Sequence, residues 1–383
     1  MRIVVNTKDF QSQLRKVMLA TSGKNVEDMP QLSCVLLSVD DFGTLSMRSY
    51  NMVTSIELSM DTYQSNKGIL CVPSKLLSDV VFKCKSKELE FLSEGNSTCS
   101  INSGKIKFNI KCVDPDMFPE NKNSRTANMI KTNIFSLINA ASGVSYAVST
   151  INSRPAMQGV CFDFGNGVVN IVGCDGFRLA KKTIASNSND SFRIIVPIES
   201  ISIINKIISD SEESDETEVY YSNDFITINV GKIKVTSRLI SGEYLDWEKI
   251  VKIDAVSDCV FDKNELLYSI EMAMVFIEKD RKKSQPITLD FNHDNVTISA
   301  RCENGDFRND IHIENEGCAT FPIAFNARYL LEAIKAVNTE RVCIQVIDSL
   351  KPSIIKDYDP ASKNTDINIL LPVRTRYTVG DKI

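Results

Sequence analysis

Apolar residues recur at helical spacing in six segments of the chain, and a short apolar run typical of a strand precedes each segment. The predicted helices come in pairs. The first helix of each pair has these apolar residues: Phe10, Leu14, Val17 and Met18; Ile134, Leu137, Ile138 and Ala141; Leu266, Leu267, Ile270 and Met274. The second helix has these: Leu76, Leu77, Val80 and Val81; Ile201, Ile204, Ile207 and Ile208; Leu330, Leu331, Ile334 and Val337. Each helix can therefore bury one apolar stripe on a sheet and leave a polar face for another role.

Polar residues that can start a helix stand before the first helix of each pair. Thr7 and Thr132 are placed to accept a backbone N–H group as N-caps. Asp262, with Glu265 three residues later, has the pattern of a capping box. These positions predict where the three helices begin.

Alternating apolar and polar residues between the helices predict strands that are joined by tight turns. The clearest strand pairs are residues 34–39 and 44–48, residues 160–164 and 168–172, and residues 287–291 and 296–300. With the strands that flank each helix, one copy of the pattern contains about two helices and eight strands, in the order β-α-β-β-β twice.

This pattern occurs three times along the chain. The string Gly-Lys-Ile-Lys at residues 104–107 returns 127 residues later at residues 231–234. Pro73, Pro197 and Asn326 each precede a second helix, at spacings of 124 and 129 residues. A repeat of this length is the size of a domain. We therefore predict domains at residues 1–125, 126–251 and 252–375, followed by a tail at residues 376–383.

The composition narrows the class of protein. The chain has 383 residues, of which 43% are hydrophobic, so it can build several cores. It has no apolar run of about 18 residues and no N-terminal run long enough for a signal peptide. Its 11 cysteines are scattered without a Cys-x-x-Cys pair, which argues against zinc and favours free thiols in a reducing cytoplasm. The net charge of −5 gives no overall nucleic-acid signature but permits a local basic surface.

Three short segments, in order along the repeat, resemble a known family. They are Cys-Asp-Gly-Phe-Arg-Leu-Ala at 174–180, Thr-Ser-Arg-Leu-Ile-Ser-Gly at 236–242 and Leu-Leu-Pro-Val-Arg at 370–374. Together with the threefold repeat, they resemble the β sliding clamps of bacterial DNA polymerase III over residues 1–375. The resemblance implies an α+β fold of three repeated DNA-clamp domains, each with two helices packed on antiparallel sheets. It also implies a non-catalytic processivity factor that encircles duplex DNA as a head-to-tail ring dimer, without a cofactor or a metal.

The resemblance places the joint between two copies at two sites. One site is Phe108 and Ile110 on an edge strand of the first domain. The other is Phe276 and Ile277 at the end of the third domain's first helix. Strand pairing across this joint would also cover exposed sheet edges. From periodicity alone, the same four residues could equally be ordinary core residues.

The DNA-facing surface implied by the resemblance consists of the polar helix faces and the loops after each first helix. Contacts that allow sliding need only a few basic residues directed at phosphates. The helix positions are Arg15, Lys16, Lys75, Lys83, Lys206, Arg328 and Lys335, and the loop positions are Lys24, Arg154, Lys279, Arg281, Lys282 and Lys283. A charged helix face is also typical of an ordinary solvated surface.

The resemblance also implies an apolar groove between the second and third domains that captures short peptides from polymerases, the clamp loader and repair proteins. Its expected residues are Met157, Cys174, Gly176, Phe177, Arg178, Leu179, Leu245, Lys249, Ile250, Asn326, Tyr329, Leu350, Ile369, Leu370, Leu371, Pro372, Val373 and Arg374. Periodicity alone would assign most of them to the core. Phe177, Cys174 and Leu245 replace a common histidine, threonine and proline of the family, which leaves the preferred peptide open. The tail at 376–383 is either frayed or a weak competitor beside the groove.

Two other classes of protein fit the sequence less well. A hydrolase that used Cys174 with Asp175 would need a neighbouring base. The chain has only two histidines, His293 in a predicted turn and His312 in a predicted strand, and it has no phosphate-binding loop of the Walker type. A three-domain scaffold that does not bind DNA is the other alternative.

Overall fold

The structure is a computed structural model, and it describes residues 1–21, 29–119, 128–151, 154–186, 190–210, 217–253, 257–277, 286–315, 320–359 and 365–374. The chain forms two compact units. Unit 1 consists of Met1–Ile138 and Glu199–Ser241, and unit 2 consists of Asn139–Ile198 and Gly242–Ile383. The predicted central domain therefore contributes to both units, and the three predicted domain boundaries stay a prediction.

The helices and strands follow the predicted order. The α-helices are α1 Thr7–Val17, α2 Ser74–Val81, α3 Ile134–Val144, α4 Ile198–Ile208, α5 Trp247–Val251, α6 Lys263–Met274 and α7 Ala327–Lys335. The strands are β1 Arg2–Asn6, β2 Cys34–Val39, β3 Leu45–Tyr50, β4 Thr54–Met60, β5 Gln64–Asn66, β6 Gly68–Pro73, β7 Glu88–Leu92, β8 Thr98–Ser103, β9 Ile106–Lys111, β10 Asn128–Thr132, β11 Gly159–Gly165, β12 Val168–Cys174, β13 Arg178–Ala185, β14 Phe192–Pro197, β15 Thr217–Tyr221, β16 Phe225–Val230, β17 Ile233–Arg238, β18 Ser257–Asp262, β19 Pro286–Asn292, β20 Asn295–Cys302, β21 Gly305–His312, β22 Pro322–Asn326, β23 Arg341–Val346, β24 Ser353–Asp357 and β25 Ile367–Leu370.

The order β-α-β-β-β occurs twice in each copy, as predicted. The sequence pattern missed the three-residue strand β5 and the short helix α5. Both are too short to show a hydrophobic period, so neither could be read from periodicity.

Unit 1 contains two antiparallel sheets. One has the strand order β5-β1-β7-β8-β9, and the other has the order β10-β15-β16-β17-β4-β3-β2-β6. In the second sheet, β17 of the second copy pairs with β4 of the first, with Val235 opposite Ile56. Helix α1 buries Phe10 and Leu14 completely. Burial of such side chains stabilises the fold by about 1.5–3 kcal/mol each.

Unit 2 also contains two antiparallel sheets, with the orders β14-β11-β12-β13-β25-β24-β23-β18 and β21-β20-β19-β22. Strand β13 of the second copy pairs with β25 of the third, with Arg178 opposite Leu370. Helices α6 and α7 bury their apolar stripes in one large cluster that includes Leu266, Ile270, Leu330 and Ile334. This cluster fixes the two helices, so their polar faces occupy defined positions.

Two of the three predicted N-caps are wrong by one residue. The side chain of Asn6 caps α1, because its Oδ1 accepts the N–H groups of Lys8 and Asp9 at 2.9 and 3.3 Å. Asn133 caps α3 in the same way, with the N–H group of Ser136 at 2.9 Å. Asp262 is confirmed as the cap of α6, since it accepts the N–H group of Glu265 at 2.8 Å. In the first two cases a threonine stands beside an asparagine, and the asparagine forms the cap.

The cysteines are mostly free thiols, as predicted, with one correction. Among the described residues, the free and buried thiols are Cys34, Cys71, Cys84, Cys99, Cys161, Cys174 and Cys343, and Cys112 and Cys302 are half-buried. Cys259 on β18 is instead disulfide-bonded. None of the helices within the described ranges is long and apolar enough to cross a membrane.

Candidate functional site

The turn between β12 and β13 is built by Asp175 and Gly176. One carboxylate oxygen of Asp175 accepts the backbone N–H groups of Phe177 and Arg178 at 2.8 and 3.0 Å. Gly176 has a φ of +91°, in the left-handed region that residues with a Cβ atom rarely adopt. The turn therefore holds Phe177 at its tip, where 58% of the side chain and backbone surface of this residue is exposed.

Arg178, the first residue of β13, is held inside unit 2 by three groups. Its Nε lies 3.0 Å from Asp175 Oδ2. One terminal nitrogen donates to the carboxylate of Glu332 on α7, and the other donates to the backbone oxygen of Tyr146. Glu332 also pairs with Arg328, at 3.0 Å. The Arg178 side chain is only 10% exposed, so it is engaged within its own chain.

Two tyrosine rings flank the Arg178 guanidinium. The centroid of the Tyr329 ring lies 4.0 Å from its central carbon, and that of the Tyr146 ring lies 5.1 Å away. The Tyr146 hydroxyl donates to Asn368 Oδ1 at 2.7 Å, and the Asn368 amide donates to the oxygen of Ile355 at 3.1 Å. Burial raises the pKa of both Tyr146 and Tyr329. Both phenols therefore stay protonated at neutral pH.

Residues 371–374, which follow β25, lie next to the turn between β12 and β13. The N–H group of Leu371 donates to the oxygen of Phe177 at 2.9 Å, and the N–H group of Val373 donates to the oxygen of Ala324 on β22 at 2.7 Å. Ile369 and Leu370 are buried, Pro372 and Val373 are half-buried, and Leu371 and Arg374 are exposed. The backbone of the exposed Leu371 is thus paired with that of the exposed Phe177.

Helix α5 and the residues before it carry three further groove candidates. Leu245 is half-buried, whereas Lys249 and Ile250 are exposed. The Lys249 ammonium lies 2.7 Å from Asp246, and their hydrogen bond lowers the pKa of Asp246. Trp247, the single tryptophan of the chain, is buried and donates to Asp163 Oδ2 at 3.1 Å. The hydroxyl of the buried Tyr244 donates to the oxygen of Val172 at 3.2 Å, which ties this segment to β12.

Met157 and Cys174 are buried, so they belong to the core beneath the exposed residues of the site. Met157 lies in the 3-10 turn Pro155–Gln158, where its oxygen accepts the N–H group of Ser149 at 2.9 Å. Burial raises the pKa of the Cys174 thiol to about 11. At neutral pH this thiol is protonated, which argues against its use as the nucleophile of the hydrolase alternative.

Some of the predicted groove residues contact one another, and others have a separate position in unit 2. Hydrogen bonds or ring contacts join Arg178 to Tyr329 and Phe177 to Leu371. Asn326 caps α7, where its Oδ1 accepts the N–H groups of Arg328 and Tyr329. Leu179 is buried. Leu350 is exposed in the turn after β23, which Asp348 holds through the N–H group of Leu350 at 2.8 Å.

Five residues that complete this region were missed in the sequence: Tyr146, Glu332, Asn368, Tyr244 and Trp247. Glu332 and Tyr146 contact Arg178 directly, and Glu332 lies 154 residues from it in the sequence. Tyr146 in turn contacts Asn368, 222 residues away, whereas Tyr244 and Trp247 fix the segment around Leu245. The single tryptophan beside Leu245 was the one signal that could have pointed to this segment.

The predicted DNA-facing helix cations differ between the units. In unit 1, Lys75, Lys83 and Lys206 are exposed and make no ion pair with a residue that the structure describes. Arg15 stacks on the ring of Phe82, at 5.0 Å. Lys16 is half-buried.

In unit 2, the two helix cations are paired. Arg328 pairs with Glu332, and Lys335 lies 2.8 Å from Glu271 on α6. Arg154 is exposed. The loop residues Lys24, Lys279, Arg281, Lys282 and Lys283 lie outside the described residues, as does the tail at 376–383.

The four residues predicted at the joint between copies have different exposures. Strand β9 is an edge strand, on which Phe108 is half-buried and Ile110 is only 1% exposed. Phe276 and Ile277 are half-buried after α6, and the ring of Phe276 lies 6.2 Å from that of Phe307 on the edge strand β21. Ile110 therefore belongs to the core of unit 1. Phe108, Phe276 and Ile277 keep partly exposed side chains that could contact a second copy.

Comparison with known proteins decides the family. Residues 1–122, 130–246 and 254–373 match the N-terminal, central and C-terminal domains of the DNA polymerase III beta subunit, in that order. The chain belongs to the DNA polymerase III beta subunit family. Its similarity to the beta sliding clamp of Staphylococcus aureus is 24% identity over 313 residues, which is 81% of each chain.

Solved structures of beta subunits confirm the clamp fold predicted for this chain. The sliding clamp of Bacillus subtilis has a TM-score of 0.90 with 20% identity, over 98% of this chain and 99% of that one. The Pseudomonas aeruginosa clamp bound to griselimycin has a TM-score of 0.89 with 18% identity, over 98% and 100% of the two chains. These likenesses establish a fold of repeated domains with helices on antiparallel sheets.

Beta subunits are non-catalytic, and this supports a non-enzymatic role for the chain. The two histidines lie where predicted, His293 in the turn between β19 and β20 and His312 at the end of β21. Within the described ranges, no group of three or more His, Cys, Asp or Glu residues is arranged to hold a metal ion.

Proposed function

We propose that this chain is the sliding clamp of a bacterial replicative DNA polymerase, and that two copies close head to tail into a ring around duplex DNA. The match of all three beta-subunit domains in order carries this proposal. A clamp tethers its polymerase by topology, so it needs no strong grip on the DNA. The proposed site of action is the cytoplasm, where bacterial DNA is replicated.

The exposed helix cations support contact with DNA. Lys75, Lys83 and Lys206 are available to phosphates because they have no ion pair among the described residues. Each such contact would release counterions and add affinity that does not depend on base sequence. A few contacts of this type allow sliding, which fits a net charge of only −5 on the chain as a whole.

The edge strands support the closure of a ring. The exposed face of β9 in unit 1 carries Lys107 and Lys111. The exposed face of β21 in unit 2 carries Asp306 and Asp310, with Arg308 between them and 3.9 Å from Asp310. Both strands are sheet edges in the described chain. Pairing of β9 from one copy with β21 of a second copy would cover both edges and bring opposite charges together. A head-to-tail contact that closes after two copies gives a ring and not a filament.

The apolar surface of unit 2 supports the capture of peptides. Phe177, Leu371, Leu350 and Ile250 are exposed apolar residues, and Tyr329 and Pro372 are half-buried. Exposed aromatic and aliphatic residues that are rimmed by polar groups are typical of a peptide-binding groove. The proposed ligands are short linear peptides of the polymerase, the clamp loader and repair proteins. Griselimycin, which is bound to the Pseudomonas aeruginosa clamp, is a convenient probe for this surface.

Retention on DNA of different topology tests the proposed function. The chain is loaded with a clamp loader onto nicked circular DNA and separated from free protein by gel filtration. One half of the sample is then cut once with a restriction enzyme. We expect the chain to stay on the circle and to leave the linear DNA. Equal retention on both would contradict the clamp, and no binding to either would favour the three-domain scaffold.

A further inference from the structure

The turn that presents Phe177 is tied to helix α7 by charged groups. We propose that Arg178 and Glu332 are positioning residues of the peptide groove, which hold this turn against α7 and do not themselves bind the peptide. This inference rests on the proposed function, because it requires that the groove takes a peptide. It changes the role that the sequence predicted for Arg178 and assigns a role to Glu332, which the sequence did not indicate.

The surroundings of Arg178 leave little of it for a ligand. Each of its three nitrogens donates to a group of the same chain, namely Asp175, Glu332 and the backbone oxygen of Tyr146. Its central carbon also lies over the rings of Tyr329 and Tyr146. A peptide that bonded to this guanidinium would have to displace one of these partners. An arginine with several charged partners and little exposure is expensive to disturb.

Arg178 joins two elements that contribute residues to the proposed groove, namely the turn with Phe177 and helix α7 with Tyr329. Asp175 shapes the turn that displays Phe177, and its second oxygen is the one that pairs with Arg178. Glu332 lies on α7, one turn after Tyr329. The link through Arg178 therefore ties the turn that carries Phe177 to the helix that carries Tyr329. Without the Glu332 charge, Arg178 would lose a partner in a largely buried place, and the charged link between the turn and α7 would be lost.

Arg328 provides a matched control, because it is the second partner of Glu332 but lies at the surface. Its side chain is 76% exposed, whereas that of Glu332 is 26% exposed. Exposed ion pairs contribute little to a structure. Loss of Arg328 should leave the pair of Arg178 and Glu332 in place.

The test is a double-mutant cycle with griselimycin as the ligand. Calorimetry on the full chain gives the dissociation constants of the wild type, Glu332→Gln, Arg178→Lys and the double variant. We expect each single variant to bind about tenfold more weakly and the double variant to lose no more than about tenfold in total, because both changes break one link. Glu332→Asp should recover most of the affinity, and Arg328→Gln should stay within about twofold of the wild type.

Each outcome has a definite meaning. If Glu332→Gln binds like the wild type, or if the losses of the two single variants add as independent free energies, the proposed positioning role is wrong. If the wild type itself does not bind griselimycin, the proposed groove is wrong, and the positioning role falls with it. Thermal unfolding of each variant checks the fold. If Arg178→Lys does not fold, the comparison of Glu332→Gln with Glu332→Asp and Arg328→Gln decides.

Discussion

The predicted DNA-facing cations on the helices have different surroundings in the two units. Unit 1 leaves Lys75, Lys83 and Lys206 exposed without an ion pair to a described residue. Unit 2 pairs Arg328 and Lys335 with acids and displays apolar residues at its candidate site. A cation that is already paired must give up its partner to meet a phosphate. The difference therefore predicts that, among the described helices, those of unit 1 contribute most to DNA binding, whereas unit 2 binds peptides.

The largest effect is expected from loss of the aromatic side chain at the tip of the turn in unit 2. Phe177→Ala should weaken griselimycin binding by about 30-fold or more, because an aromatic side chain that a ligand buries contributes about 2 kcal/mol or more to an interface. Calorimetry measures the change. Phe42→Ala in unit 1 is the matched control, since Phe42 is 94% exposed in the turn between β2 and β3 and should have no effect. If both variants lost the same griselimycin affinity, the peptide site would not be specific to unit 2.

A smaller effect is expected when two free cations of unit 1 are neutralised. Lys75→Gln with Lys83→Gln should lower the slope of log affinity for duplex DNA against log salt concentration by about 1.8, if each lysine contacts one phosphate. Fluorescence anisotropy of a labelled duplex in a salt series gives this slope. The matched variant in unit 2, Arg328→Gln with Lys335→Gln, should change the slope by less than half as much. A larger change of the slope in the unit 2 variant would mean that the helices of unit 2 contribute more to DNA binding than those of unit 1.

The smallest effect is expected when a paired cation of unit 2 is released. Glu271→Gln removes the acid that lies 2.8 Å from the Lys335 ammonium. DNA affinity should rise by about two- to threefold at low salt, because an exposed pair of this kind contributes at most about 1 kcal/mol. The same anisotropy assay measures it, with Glu265→Gln on α6 as a control for the loss of one negative charge. If the two variants gain equally, the pairing of Lys335 does not limit its contact with DNA.

Local patterns in the sequence were sufficient for the elements of the fold. Apolar spacing predicted the paired helices because their apolar residues face a core, as Phe10, Leu14 and Val17 of α1 do. The exact start of a helix was harder to predict. Asn6 and Thr7, like Thr132 and Asn133, are neighbours that can both act as caps, and only the backbone geometry selects the asparagine.

The candidate site was only partly predictable, since its members are linked across long distances in the chain. The turn of Asp175, Gly176 and Phe177 was visible as a motif. The partners of Arg178 were not, because Glu332 lies 154 residues away and a sequence period carries no information on such a contact. For the same reason, nothing local distinguished the free cation Lys75 from the paired cation Lys335.

The central claim is that two copies of this chain close into a ring, and the mass in solution tests it most directly. Light scattering coupled to gel filtration at micromolar concentration should give twice the chain mass of 42.8 kDa. The dimer should weaken in high salt if Lys107 and Lys111 of β9 meet Asp306 and Asp310 of β21. A monomer of 42.8 kDa at micromolar concentration and moderate salt would contradict the closed ring.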